Sequence, residues 1–390
     1  MSVPQKAARQ GILILSPFFS PNIGGVETHL NNLTDYLDRT GYKVYVVTYQ
    51  PLTTPGKAPA LEMMNHTEIF RIGWIGYGLF NRLESSFLVE FLYLTPVLFL
   101  FSFFNLLRIR RQVDVIHAQG LNAGLIGILL SRIFRKKSVT TIHAIYNLEN
   151  RHMLSRLMRI VLSQSDIVLA TARKSERELE GLGLRAGKLR MFTYWVDQEV
   201  FRPMNKVECK GNLGLSDYFV VLFVGRLLEI KGITEFLGMA KKLSNETNLK
   251  FVVAGDGPCR NLVERASVHS SNIAFRGPVL NSDLPSYYSA ADVVVVPSLY
   301  EEGFARVIVE ALSCGTPVIG SNRGCIPEEL NSSVGVLIEP KSEEMATEVL
   351  RLLKNKDDLL RMTRNCRPYA EVHFSEKNAE AVLETYASKR

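Results

Sequence analysis

Two glutamates, Glu302 and Glu310, stand either side of a Gly-Phe turn and the start of an apolar helical pattern in the run EEGFARVIVE. Carboxylates accept hydrogen bonds from hydroxyl groups, and the free amides of a helix N-terminus attract anions. A polar, hydroxyl-rich ligand suits such a place. A hydrolytic carboxylate pair suits it less. Eight helical residues span ~12 Å, whereas a glycoside-cleaving pair sits about 5–9.5 Å apart. Separate roles for the two glutamates fit better. Upstream, VGRLLEIKG (residues 224–232) ends a strand pattern with Arg226 and Lys231. Two cations at a strand end can neutralise a diphosphate and stabilise it as it leaves. Taken together, these residues read as a site for a sugar joined to a diphosphate.

Two further groups lie in the first half. Gly24 and Gly25, in SPFFSPNIGGVETHL, stand where a strand gives way to a helix, and glycine lets backbone approach a ligand closely. This is neither GxGxxG nor a P-loop, so a plain turn is the competing reading. His143, in TTIHAIY, closes a strand pattern, as His117 does in DVIHAQG. A structural histidine is the alternative for His143, and neither has partners at metal-ligand spacing. No metal ligation is expected.

These residues need strand ends to hold them, and the chain supplies a regular series. Apolar runs at 12–15, 44–48, 113–117, 139–142 and 167–170 are followed by a second series at 220–224, 251–254, 273–276, 293–297 and 317–320. Helical spacing at 28–37, 233–243 and 307–313 falls between them. Continuous apolar strands alternating with helices imply parallel sheets covered on both faces. Two series in 390 residues imply two Rossmann-like domains. The polar stretch 198–216, with Pro203, Gly211 and Gly214, marks the break. The expected division is 1–200, 201–372, and a C-terminal helix in 373–390 that packs back on the first domain.

Five scattered cysteines without a CxxC fit a reducing compartment, and no secretory leader pattern opens the chain. The net charge of +7 is uneven: 23 Lys+Arg against 15 Asp+Glu in residues 1–200, and 23 against 24 in 201–390. Residues 108–159 hold ten basic residues and only Asp114 and Glu149. An anionic partner surface fits this patch, as does a simply solvated basic face. No motif of a nucleic-acid reader accompanies it, so no nucleic acid is expected.

Residues 87–107 are almost wholly apolar and nearly long enough to span a bilayer. Glu90 and Pro96 interrupt them, and a single crossing would separate strands that belong to one sheet. A buried helical hairpin and a face dipping into lipid remain as the two main readings. Basic residues at 108–111 and 132–137, and on a helix at 151–163, favour attachment to an anionic membrane through residues 87–159.

The chain resembles the retaining glycosyltransferases of family four, with the GT-B fold. The resemblance runs from about residue 11 to 375. It is carried by VGRLLEIKG, VVAGDGP, NIAFRGPV, AADVVVVPSLYEEGFARVIVEAL and GTPVIGS, and in the first half by GGVETHL, DVIHAQG and TTIHA. The family's signature of a Glu, seven residues and a second Glu is met by Glu302 and Glu310. The resemblance implies an α/β GT-B architecture, two Rossmann-like domains facing a central cleft. It implies that Gly25, beside Gly24, offers an amide to the donor diphosphate and that Arg226 and Lys231 grip both phosphates. Glu302, Gly303 and Phe304 would hold the transferred sugar. Glu310 would bind the nucleotide ribose, Val279 would lie near the base, and His143 would face the sugar and acceptor. Ala305 stands where the family often has a second glycine, Tyr194-Trp195-Val196-Asp197 replaces the frequent Asn-Gly-Val-Asp, and Arg323-Gly324 replaces a common Gly-Gly.

The expected activity is transfer of a hexose from a UDP- or GDP-sugar, with retention and without metal or other cofactor. The expected acceptor is a lipid or polyprenyl-linked glycan, met peripherally on the cytoplasmic face of the cell membrane. The rivals are a nucleotide-sugar epimerase or phosphorylase on the same fold, and a non-catalytic sugar-nucleotide binding module.

Overall fold

The computed structural model describes residues 10–22, 24–54, 56–73, 79, 87–148, 152–185 and 187–388. The chain forms two Rossmann-like α/β units. The first comprises Met1–Tyr194 with Glu376–Arg390, the second Trp195–Ser375. The changeover thus falls at Tyr194/Trp195 rather than 200/201, and the return at Ser375/Glu376 rather than 372/373.

Among the described residues the first unit holds eight strands: β1 (Gly11–Leu15), β2 (Lys43–Tyr49), β3 (Leu61–Met64), β4 (Thr67–Ile72), β5 (Val115–Gln119), β6 (Lys137–Ile142), β7 (Ile167–Ala170) and β8 (Leu189–Met191). Their order is β3-β4-β2-β1-β5-β6-β7-β8, parallel except for β3, which runs antiparallel to β4 at the edge. The apolar runs of the sequence point to no strand in 50–72. β3 is short and mostly exposed, so it lacks the apolar run that marks a buried parallel strand. β1, β5 and β7 are buried along their whole length. The terminal helix Ala379–Ala387 is tied to this unit by its Tyr386 hydroxyl, 2.7 Å from His117 Nδ1, and by Lys137, which donates to the Ser388 hydroxyl at 2.7 Å.

The second unit holds β9 (Phe219–Val224), β10 (Leu249–Ala254), β11 (Ile273–Gly277), β12 (Val293–Val296), β13 (Val318–Ser321) and β14 (Gly335–Ile338) in one parallel sheet, ordered β11-β10-β9-β12-β13-β14. Apolar cores lie on both faces. Ile308, Val309 and Leu312 pack on one side, and Ile233, Phe236 and Val349 on the other.

Strand order decides where ligands can go. In each sheet the chain winds outward in one direction and then the other, leaving a crevice where the order reverses. In the first sheet that point lies between β1 and β5; in the second, between β9 and β12.

The apolar segment forms one helix, Phe87–Ile109, with Pro96 inside it. The hairpin reading is therefore corrected: the run continues as helix through Pro96. Leu94, Leu98 and Leu106 are buried against the core beneath β1 and β2, and Tyr49 donates to the Leu94 carbonyl at 2.5 Å. Among the described residues it is the one helix long and apolar enough to cross a membrane. Its outer side leaves Leu92 62% and Phe104 58% exposed. Next to it packs helix Gly120–Phe134, which exposes Leu129 and Ile133, and then helix His152–Leu162, which exposes Met153 and Ile160. Arg108, Arg110, Arg111, Arg132, Arg156 and Arg159 are at least partly exposed in the same stretch.

Candidate functional site

In the second unit the two loops at the reversal point carry the chemistry. After β9 the chain runs through Gly225 and Arg226 to a short turn of helix at Glu229–Lys231, closed by Gly232. Gly232 has φ +75°, and a Cβ there would meet the Pro297 carbonyl oxygen at 1.9 Å. Only glycine lets this loop lie against the end of β12. After β12 come Ser298, Tyr300 and Glu302. Glu302 is buried, and its carboxylate has three donors. Lys231 Nζ donates to Oε1 at 2.5 Å, Ser298 Oγ donates to Oε1 at 2.6 Å, and Tyr300 donates to Oε2 at 2.6 Å. Lys231 also donates to the Tyr300 oxygen at 2.9 Å, with its ammonium 5.0 Å from the ring centroid. Burial and then the Glu302 charge push the Tyr300 hydroxyl far up, so it stays a donor. Arg226 is exposed, and near enough that its charge bears on Tyr300.

Glu310 belongs to a different network. It lies on helix Arg306–Ser313, where Tyr288 donates to Oε2 at 2.8 Å and Arg306 Nη2 sits 3.4 Å from Oε1. Burial raises its pKa, against the pull of Arg306 and the Tyr288 hydrogen bond. The two glutamates therefore hold separate partners. Gly303, Phe304 and Ala305 form the turn between Glu302 and this helix. Ala305 has φ −99°, an ordinary value for a residue with a side chain, and its N–H donates to Glu329 Oε1 at 2.8 Å. Val279 lies in the turn after β11, half-buried against the apolar core.

Gly324 is the second position that must be glycine. It has φ +58°, and a Cβ would meet the Glu302 carbonyl oxygen at 2.2 Å and nitrogen at 2.3 Å. Its N–H donates to Glu301 Oε2 at 2.9 Å, and Cys325 N–H donates to the Glu302 carbonyl at 2.8 Å. Gly324→Ala is expected to cost at least ~1–3 kcal/mol and to displace Glu302, because backbone must move on one side or the other. Thermal unfolding compared with the parent chain checks this; an unchanged transition would contradict it. Arg323 turns outward to pair with Glu339 at 2.5 Å.

In the first unit, His143 follows β6 directly. Its Nε2 lies 2.8 Å from Gln119 Oε1, an acceptor, so Nε2 carries the proton and Nδ1 accepts from the Tyr194 hydroxyl. His29, on helix Gly25–Arg39, stacks on Tyr194 with centroids 4.0 Å apart. The helix that starts at Gly25 thus braces the His143 group. Gly24 caps this helix in extended conformation, and a Cβ there would meet Glu27 Oε2 at 2.3 Å.

Burial holds both His143 and His117 down to about 3. Both rings are neutral at pH 7, whereas the unfolded chain takes up protons near about 6.5. Stability is therefore expected to fall as pH drops below about 6.5 towards about 3. Thermal unfolding across that range checks the sign, and a flat midpoint would refute it.

Sequence reasoning missed Tyr300, Ser298, Gln119 and Glu329 as members of these groups. Tyr300 and Ser298 had a signal, since both follow β12 immediately beside Glu302. Gln119 had the same signal as the last residue of β5. Glu329 had none, because nothing local marks a glutamate as buried.

Comparison with known proteins agrees with this architecture. The Glycosyltransferase Family 4 domain pattern matches residues 23–200, and the Glycosyl transferases group 1 domain pattern matches residues 218–355. The two matches together take in most of the chain, which belongs to the family 4 glycosyltransferases. Among its relatives is the GPI3 subunit of phosphatidylinositol N-acetylglucosaminyltransferase from Saccharomyces cerevisiae, 24% identical over 344 residues, covering 85% of this chain and 72% of that protein. Another is D-inositol 3-phosphate glycosyltransferase of Paenarthrobacter aurescens, 25% identical over 308 residues, covering 72% of this chain and 74% of the relative. Among solved structures, Anabaena HepE in complex with UDP-glucose superposes with a TM-score of 0.73 at 20% identity, covering 97% of this chain and 100% of that one.

Proposed function

We propose that this glycosyltransferase moves a hexose, with retention, from a nucleotide diphosphate sugar to a lipid or polyprenyl-linked acceptor at a membrane surface. The observation that carries the reading is the Lys231–Tyr300–Glu302–Ser298 network, built from the two loops at the reversal point of the second sheet. Lys231 and Arg226 meet the diphosphate in place of a divalent cation, and Glu302 with the Gly303–Phe304 turn takes the sugar hydroxyls. Glu310 is assigned to the ribose and Val279 to the base. In transfer, the bond from the anomeric carbon to the phosphate oxygen breaks and its electron pair goes to the diphosphate. The acceptor oxygen bonds to the anomeric carbon on the same face, and its proton passes to the departing phosphate. Fixed positive charge lowers the barrier because charge develops on that oxygen. His143, neutral and held by Gln119 and Tyr194, is assigned to sugar and acceptor handling.

Several observations support a UDP- or GDP-linked donor and a membrane acceptor. A structural neighbour was solved with UDP-glucose, and two relatives are named for phosphatidylinositol and inositol phosphate substrates. The exposed apolar row in residues 87–162, with its arginines, fits an anionic bilayer. Spanning does not fit: β4 and β5, which precede and follow helix Phe87–Ile109, lie in one sheet. On this basis the enzyme sits peripherally on the cytoplasmic face.

A thermal-shift screen of UDP-, GDP- and ADP-sugars tests the donor. A ligand at a hundred times its dissociation constant stabilises by ~2.7 kcal/mol, and one base is expected to stand out. NMR of that donor with acceptor vesicles then follows the anomeric configuration. No shift with any nucleotide sugar, or conversion of donor without acceptor, would overturn the reading.

A further inference from the structure

Glu329 ends the short helix Ile326–Glu329 and is 2% exposed. Its Oε1 accepts the Ala305 N–H, the last amide of the turn that runs from Glu302 into helix Arg306–Ser313. Its Oε2 has no hydrogen-bond partner among the described residues. The charged or titratable groups whose fields reach it are the Glu302 and Glu328 carboxylates, the Lys231 ammonium, and the Tyr369 hydroxyl on helix Lys356–His373.

A carboxylate here would be costly. It would be an unpaired charge in the interior, next to the two existing negative groups. It would also compete with Glu302 for Lys231. A protonated acid avoids both problems and still offers a carbonyl oxygen to the Ala305 amide. We propose that Glu329 is a positioning residue that works as a neutral carboxylic acid, fixing the Gly303–Phe304–Ala305 turn and through it the Glu302 carboxylate. Burial first, and then the Glu302 and Glu328 charges, raise its pKa well above the usual glutamate range, which agrees with this geometry.

The proton has a thermodynamic consequence. The fold retains a proton that the unfolded chain releases near about 4.3. The contribution of Glu329 to stability therefore falls as pH rises above about 4.3, until Glu329 itself ionises in the fold, opposite in sign to the contribution of the two histidines. Glu329→Gln keeps the acceptor oxygen and removes the titration. Glu329→Leu removes both.

Thermal unfolding of the full chain and the two variants, followed from about pH 5 to about pH 8, is the first readout. The difference between the Gln variant and the parent is expected to move in favour of the variant as pH rises. The second readout is kcat/KM with the nucleotide sugar selected by the screen above. Glu329→Gln is expected within about twofold of the parent, and Glu329→Leu about tenfold or more lower, the loss of one hydrogen bond to a buried amide. Parallel pH profiles for parent and Gln variant would overturn the proposal, as would a Gln variant impaired as severely as Leu. The turnover arm rests on the glycosyl-transfer reading; the thermal arm does not, so failure of one is distinguishable from failure of the other.

Discussion

Lys231→Ala is expected to lower kcat/KM by about a hundredfold to a thousandfold, the range seen when one fixed donor to a developing oxyanion is removed. Two effects combine. The ammonium no longer meets the departing diphosphate, and Glu302, buried and otherwise held by the Ser298 and Tyr300 hydroxyls, loses its counter-charge. An uncompensated buried carboxylate costs several kcal/mol or moves. Tyr300→Phe makes the comparison informative. It removes one neutral donor to Glu302 while leaving Lys231 and Ser298 in place, and should cost only about fivefold to tenfold. Steady-state kinetics on both variants checks the order. Retention of activity within about fivefold by Lys231→Ala would sink the assignment of this network to the donor phosphates.

The second large effect concerns the first unit's exposed face. Each Lys or Arg near an anionic headgroup layer contributes about 1 kcal/mol. Replacing Arg108, Arg111, Arg132 and Arg159 together by Gln should therefore weaken binding to phosphatidylserine-containing vesicles by about a thousandfold at low salt. Binding to uncharged vesicles should change little. All four residues are exposed and lie in the same stretch as exposed apolar side chains, Leu107, Ile133, Leu157 and Ile160 among them. Replacing Leu92, Phe104 and Ile160 by Ser should weaken binding to both kinds of vesicle, because the apolar term does not depend on lipid charge. Flotation in sucrose gradients measures both. If the parent chain stays at the bottom with anionic vesicles at low salt, this face serves something other than a membrane.

The relation between the two networks bears on mechanism. Glu302 and Glu310 are close in sequence but differ in environment. Glu302 is salt-bridged to Lys231, whereas Glu310 sits with Tyr288 and Arg306 under a burial penalty that raises its pKa. Such a division gives one carboxylate paired with a lysine beside the proposed sugar site and another held within its own helix packing. This agrees with different roles and disagrees with a hydrolytic pair.

The sequence determined the parallel-sheet architecture of both halves, because strands buried on two faces must be continuously apolar. That is how β7 could be read to its ends, Ile167–Ala170, and β9 to within one residue. It also determined which strand ends carry Arg226, Lys231, Glu302 and His143, since those residues follow apolar runs closely. β3 escaped, because an exposed edge strand has no need of an apolar run, and β4 escaped although it lies inside the sheet, because Thr67, Glu68 and Arg71 interrupt its apolar residues. Only the tertiary structure decided what those strand ends touch. Placing β12 beside β9 brings Lys231 and Glu302, 71 positions apart, within 2.5 Å, and no local pattern encodes strand order. The same holds for burial. Nothing local marks Glu329 as buried, and the packing around it and around Tyr300 fixes their protons. The helix Phe87–Ile109 shows the reverse: its composition is legible as apolar, but its packing decides that Leu94 and Leu98 face the core while Leu92 and Phe104 face outward.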